Sequence, residues 1–414
     1  MRIVAKSSVL NSKLNRDFLV RVFPYPFRKV RIMLRVLCLT TTVLLIPWGA
    51  VFAEQNPDSK GNAALKYWQA FATLPKFTDA ENKIIGDCLT APLDDTTRKI
   101  LTSSEYSLTM LHRAAAVPRC EWSMSYEDGV FALLPQCPAA RVLASLACLR
   151  ARQRFEAGQT AEAIDDLLTA MTLGRHISVD GSLIAVLVGY SVEARAIETF
   201  AHALPTFNPK TVNDIKTRVE ALPPFGTVAT ALLACEKETL DWFIRKVSET
   251  KDKEGLLKFL SWVGISEEKD RDTGSKAAEF LKECGGTAAG VTNFAVETLP
   301  SYNKLAKSLN LPLDEFEKEF ERESIRQAGN PVYKVFFPSL AKARQSSVRA
   351  DVRRALFLAA LAVQLDGQSA LKDYFDPFGG GRFKYAPFKG GFELHSKIKG
   401  QDDKPVTLTV GHRN

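Results

Sequence analysis

Reactive signatures are what this sequence lacks most. It has seven cysteines in 414 residues and no two stand as C-x-x-C, so zinc ribbons and thioredoxin-type redox centres are excluded. It has no H-E-x-x-H pair, no serine-hydrolase elbow and no Walker loop, which removes the enzyme classes those motifs mark. Net charge is also missing from most of the chain. Lys and Arg total 55 against 47 Asp and Glu, but residues 1–53 hold nine of the basic residues and one acidic residue, Asp17. Residues 54–414 are therefore balanced, and with no basic-aromatic stripe they have no evident hold on a phosphate backbone. Nucleic acid is not an expected partner.

What is there is ordinary globular material: 46% hydrophobic and 25% charged residues, enough for two or three domains or one large helical body. The basic N-terminus runs into "VLCLTTTVLLIPWGAVFA", Val36 to Ala53, which carries no charge and ends in small residues. Residues 1–53 thus read as an export signal cleaved after Ala53, with 1–32 a misassigned upstream start before Met33. The alternative is an uncleaved anchor, since such a stretch falls within the roughly 17–25 residues that span a bilayer. Either way the body is expected outside the cytoplasm, in the periplasm or cell envelope, and membrane contact is expected only through an uncleaved N-terminal segment.

Removing Cys38 with the signal leaves Cys88, Cys120, Cys137, Cys148, Cys235 and Cys284, an even number in an oxidising compartment. Cys120 and Cys137 flank a loop and are the first choice for a disulfide. Buried free thiols are the alternative, and fifteen connectivities are open.

Helical periodicity dominates residues 54–300. Thr78 with Glu81 three residues on forms a capping-box signature. Pro138 to Ala157 carries Val142, Leu143, Leu146 and Leu149 on one face, and after Gly158 a second helix, capped by Thr160, repeats the pattern with Ile164, Leu167, Leu168 and Met171. So short a loop predicts an antiparallel hairpin. "GSLIAVLVGYSVEARAIETFAHAL" is apolar nearly all round in its first half, as a central helix would be. Residues 301–414 continue with helices through "SVRADVRRALFLAALAVQLDG" and then change period. Phe392, Leu394 and Ile398 alternate with Glu393, His395, Lys397 and Lys399, preceded by Phe383 and Tyr385 and followed by Val406, Leu408 and Val410. That predicts an antiparallel β-meander over about 382–410, with its turns at Gly390–Gly391 and Asp402–Asp403 and the glycines of "DPFGGG" as architecture. The fold class is mainly α: an irregular stack of antiparallel helix pairs with a small C-terminal meander.

No catalytic residue can be assigned from the sequence. Asp376, Asp402 and Asp403 are carboxylates that could contribute to a calcium site, which takes about six to eight oxygens, and turn chemistry explains them equally. His395 stands on the polar face of its strand. In "RCEWSMSYEDG", Glu121 and Glu127 near Trp122 suit sugar chemistry, with solvation of a loop as the alternative. Glu193 and Arg195 interrupt an apolar helix near His176, as pocket residues or as an ion pair. No cofactor and no metal is expected.

Two resemblances add to this reading. "RQRFEAGQTAEAIDDLLTAM" resembles one turn of a tetratricopeptide repeat, without a second copy. "NAALKYWQAFATLP", "CEWSMSYEDG" with "ARVLASLACLRARQRFEAGQTAEAIDDLLTAMTLGRHIS", and "RRALFLAALAVQLDG" with "DPFGGGRFKY" together resemble a group of exported helical proteins of planctomycete-like bacteria, which implies export and a helical fold. The end, "DPFGGG" with "GGFELHS", also resembles the C-terminal segment of type II secretion pseudopilins, where aspartates hold calcium; here the glycine two residues after Ser396 and the prepilin cleavage motif are missing. The expected function is a non-enzymatic interaction or structural protein of the envelope with a protein partner. The alternatives are a hydrolase or lyase acting on envelope or polymeric carbohydrate, using Glu121, Glu127 or Glu193, and a calcium-dependent assembly module.

Overall fold

A computed structural model describes residues 61–265, 273–400 and 402–413; the export segment expected over 1–53 lies outside them. The chain begins with four short helices, α1 Ala63–Ala72, α2 Asp79–Gly86, α3 Asp95–Ser103 and α4 Glu105–Ala115. Three long ones follow, α5 Gln136–Glu156, α6 Thr160–Ser178 and α7 Leu183–Ala203, then α8 Pro209–Glu220. A second group comprises α9 Val228–Ala231, α10 Lys237–Glu249, α11 Lys253–Trp262, α12 Thr273–Glu283, α13 Ala288–Ser308, α14 Leu313–Arg326 and α15 Pro331–Phe336. The long α16, Pro338–Asp366, leads to five strands: β1 Phe375–Asp376, β2 Gly381–Arg382, β3 Lys384–Phe388, β4 Gly391–Lys399 and β5 Pro405–Val410.

Mainly α with a C-terminal antiparallel meander is thus the observed class. The meander pairs in the order β3-β4-β5, and β1 with β2 makes a separate two-stranded hairpin. The capping box forms, with the Thr78 backbone N–H donating to Glu81 at 2.8 Å and the Glu81 N–H donating to Thr78 Oγ1 at 3.3 Å. Thr160 is the first residue of α6 and Gln159 takes the cap position, without a side-chain bond.

Two hydrophobic cores organise the body. One gathers α1 to α8, the C-terminal part of α16 and the sheet around Leu143, Leu146, Phe200, Phe357 and Leu394. The other gathers α9 to α15 around Phe243, Tyr302 and Phe337. α7 and α16 serve both: Val186 and Leu340 belong to the second core, Val192 and Leu356 to the first. The division expected near residue 300 falls inside α13, which carries Pro300 within its length. The predicted inner face of α5 is too narrow, because every residue from Leu143 to Ala151 is buried, Ser145 and Arg150 included. The segment Gly129–Glu156 is apolar and long enough to cross a bilayer by composition, and in this fold its helix lies within the first core. α6 and α7 approach closely because glycines meet at their crossing: a Cβ on Gly189 would stand 2.4 Å from the Gly174 carbonyl oxygen.

The expected Cys120–Cys137 disulfide is not formed; all six described cysteines are free thiols. The loop between these two is fixed to other partners. The Trp122 indole N–H donates to the His176 carbonyl at 2.6 Å, the Tyr126 hydroxyl binds Asp180, and Gln136 Nε2 donates to Asp180 Oδ2 at 2.6 Å. Cys120 lies against the backbone of Ala64, while Cys137 sits in the first turn of α5, and burial pushes each thiol up to about 12. Cys88 and Cys148 are the cysteines whose ionisation is linked, Cys148 holding the Cys88 thiol down to about 7.

The "DPFGGG" stretch is architecture. Asp376 is buried and accepts hydrogen bonds from Ser396 Oγ at 2.6 Å, the Lys397 N–H at 3.0 Å and the Phe378 N–H at 3.2 Å, tying the β1–β2 hairpin to β4. A Cβ on Gly379 would stand 1.9 Å from Asp376 Oδ2. Gly379→Ala should therefore cost about 1–3 kcal/mol of unfolding free energy, the usual range for forcing an atom into a filled space. Urea denaturation checks it, and a change within about 0.5 kcal/mol would contradict this role for the glycine.

A basic cavity between two helices and the meander

The sheet lies against α7 and α16, and a cavity of about 1480 Å³ opens between these two helices and the strands. Leu187, Ser191, Arg195 and Glu198 recur every three or four residues and so share the face of α7 that lines it. Ser346, Arg349 and Arg353 do the same on α16. The strands contribute Arg382, Lys384, His395 and Lys397, and the β4–β5 turn adds Asp402 and Lys404. The β4–β5 register shifts between His395 and Lys399, at this wall, where a bulge re-aims side chains that strict alternation would send to opposite faces.

Seven cationic side chains therefore face the cavity against two carboxylates, Glu198 and Asp402. Lys404 stands 3.8 Å from Asp402, and Arg195 Nη1 donates to Ser145 Oγ at 2.5 Å. Arg349 Nη2 donates to Ser346 Oγ at 2.9 Å. Among the described residues no carboxylate forms an ion pair with Arg349, Arg353, Arg382, Lys384 or Lys397. Burial and the neighbouring Arg353 guanidinium pull the pKa of Arg349 down, the mark of like charges held together. Burial pushes Glu198 above the usual carboxylate range, and the attraction of Arg353 and Arg195 only partly offsets it. His395 shares a 2.9 Å hydrogen bond with Thr407 Oγ1.

An excess of cations in a concave site favours anions over cations there. Guanidinium groups offer forked donors matched to carboxylate, sulfate or phosphate oxygens, and the Lys ammonium groups add point charge. No family model, curated protein or solved structure matches this chain. The chemistry of the cavity therefore carries the functional reading.

Of the residues singled out in the sequence, Arg195 and His395 line the cavity, as does Asp402. Glu193 does not. It is 2% exposed and accepts from Arg175 Nη2 at 3.1 Å and Arg354 Nε at 2.7 Å, a satisfied ion pair in which both guanidiniums also lie over the Phe225 ring. His176 is buried against Tyr67, whose hydroxyl is 2.9 Å from Nδ1, and burial pushes the imidazole down to about 4. Glu121 pairs with Arg119 on the surface at 2.8 Å, Glu127 is exposed, and Trp122 is enclosed with Tyr67, Trp68 and Phe71. Asp403 occupies the β4–β5 turn with φ 61° and pairs with Lys399 at 2.9 Å. Among the described residues no group of three or more His, Cys, Asp or Glu comes together as a metal site.

Arg349, Arg353, Arg382 and Lys384 were not foreseen as site residues. Their signal was present as a polar stripe, Ser346, Arg349 and Arg353, on a helix otherwise destined for the core. What the stripe faces depends on where the meander returns.

Proposed function

We propose that this chain is a non-catalytic binding protein of the cell envelope whose cavity takes an anionic ligand. One observation carries the reading: five cations without an ion-pair partner among the described residues converge on one large cavity of a body whose residues 54–414 are otherwise charge-balanced. Unneutralised like charges cost free energy, and an anion bound among them recovers it. The neutral net charge of the body makes this concentration of cations a local device and not a by-product of composition. Export through residues 1–53 is part of the proposal and would place the cavity before envelope or extracellular anions.

The test is calorimetric titration with inorganic phosphate, citrate and polygalacturonate, with dextran as the neutral control. Binding of the anions, weakening as salt rises, and none of dextran is the expected result. Equal binding of dextran, or no binding of any anion at low salt, overturns the reading. Glu198 adds a pH signature. Its ionised carboxylate opposes an incoming anion, and burial makes it protonate above the usual carboxylate range, so affinity should rise as pH falls and binding should take up a proton. Glu198→Gln should flatten that rise; an unchanged pH profile in the variant would refute it.

A catalytic reading has one observation in its favour, the raised Glu198 carboxyl as a proton donor inside a cavity. Release of reducing or unsaturated ends from polygalacturonate, abolished by Glu198→Gln, would establish it in place of simple binding.

A further inference from the structure

The cations of the cavity are arranged in rungs. On the helical wall Arg349 and Arg353 are four residues apart on α16, about 6 Å along the axis. On the strand wall Lys384 is the register partner of His395, and Thr407 the partner of His395 on the other side, giving one row across the sheet. Arg382, at the end of β2, and Lys397, within the β4 bulge, each lie two residues from that row along the chain, and Lys397 Nζ is 3.6 Å from where a Cβ on Gly381 would stand. Both walls thus carry more than one positive charge along their length.

Resting on the anion-binding reading, we infer that the ligand is a linear acidic glycan carrying one carboxylate or sulfate per monomer, and not a single small anion. A lone anion satisfies one rung and leaves the others unneutralised. At about 1480 Å³ the cavity also exceeds the roughly 300–1000 Å³ of sites for single small molecules. Hydroxyls of Ser191, Ser346 and Thr407 stand among the cations, as partners for sugar hydroxyls. Single-stranded nucleic acid fits less well, because its binding grooves stack bases on aromatic rings. Among the described residues Tyr190 is the sole phenyl-bearing one lining the cavity, and its ring is covered by Phe225 at 5.4 Å and by the Arg354 guanidinium at 5.9 Å.

The test is a length series. Galacturonic acid and its oligomers from dimer to octamer are titrated alongside heparin-derived oligosaccharides and an oligothymidylate. Affinity should climb by roughly tenfold or more from monomer to tetramer and then level off once all rungs are occupied. The uronate and sulfated arms show which acidic group is preferred. The double variant Arg382→Ala, Lys397→Ala removes two exposed side chains from one rung, so folding should be undisturbed, as thermal melting of the variant checks. It should lower tetramer affinity towards that of the dimer, by several-fold more than it lowers monomer affinity. Equal affinity for monomer and tetramer, tighter binding of oligothymidylate, or a double variant that weakens monomer and tetramer alike overturns the polymer inference while leaving anion binding intact. Failure of every probe, inorganic phosphate included, brings down the anion-binding reading itself.

Discussion

Asp166→Asn should lower the unfolding free energy by about 3–5 kcal/mol, the cost of breaking a buried ion pair by removing one partner. Asp166 lies at 0% exposure in α6 and accepts from Arg150 Nη2 at 2.6 Å, Arg154 Nη1 at 2.7 Å and His112 Nε2 at 2.7 Å. Arg150 is itself nearly enclosed, with Glu105 at 3.1 Å as its other partner. An amide of the same shape keeps the volume but cannot balance these cations. Neighbouring Asp165, half exposed and paired with Arg218, supplies the control: Asp165→Asn should cost only about 0–1 kcal/mol.

The pH dependence has a definite sign. Burial raises the Asp166 carboxyl, but the hydrogen bonds of His112 and Arg150 and the charges of Arg150 and Arg154 outweigh it and hold the group below the usual carboxylate range. A depressed native pKa contributes stability that is present above the unfolded pKa and disappears as pH falls through the native one. The wild-type chain should therefore lose stability in acid more steeply than Asp166→Asn. Urea denaturation over a pH series measures both effects; a loss below about 1 kcal/mol at neutral pH would remove Asp166 as the hub joining α4, α5 and α6.

Charge reversal on α16 should have the second large effect, on binding instead of folding. Arg349→Glu with Arg353→Glu should weaken polygalacturonate binding by roughly 100-fold or more and erase its salt dependence, since reversed charges repel the ligand that the native ones attract. Both side chains are half-buried on the cavity face and neither has an ion-pair partner among the described residues. Arg349→Gln alone relieves like-charge repulsion from Arg353, so the ligand-free variant should melt no lower than wild type while binding more weakly. Calorimetry and thermal melting read the two quantities separately. Unchanged affinity in the double reversal would show that the cavity is not the ligand site.

The helical elements were legible because their causes are local. Apolar spacing marks α5 to within two residues at each end and the start of α6 to within one, and Thr78 with Glu81 marks the start of α2. Alternation marks β5 cleanly, which buries Val406, Leu408 and Val410; in β4 it marks Phe392 and Leu394, but Glu393 between them is buried as well, accepting from Thr409 and Arg413. The short β1–β2 hairpin escaped notice because its two-residue strands contain too little pattern to read. The site was legible only in fragments. Arg195 drew attention as a charge interrupting an apolar helix and His395 as a histidine on the polar face of its strand, and the structure brings both to one cavity. Cys120 and Cys137 misled because closeness in sequence across a loop says nothing about where each thiol points once Trp122 and Tyr126 have fixed the loop elsewhere.

By itself the sequence determined the mainly helical class, the C-terminal meander and the charge balance of residues 54–414, because periodicity and composition act over a few residues at a time. Tertiary structure alone decided which charges are spent and which are left over. Glu193 and Asp166 look no different from Glu198 along the chain, yet the first two meet arginines in the core and the third faces a cavity whose cations outnumber it. The reason is that an ion pair forms between groups brought together by packing, at separations in sequence such as the 161 residues between Glu193 and Arg354, and no local pattern encodes that meeting.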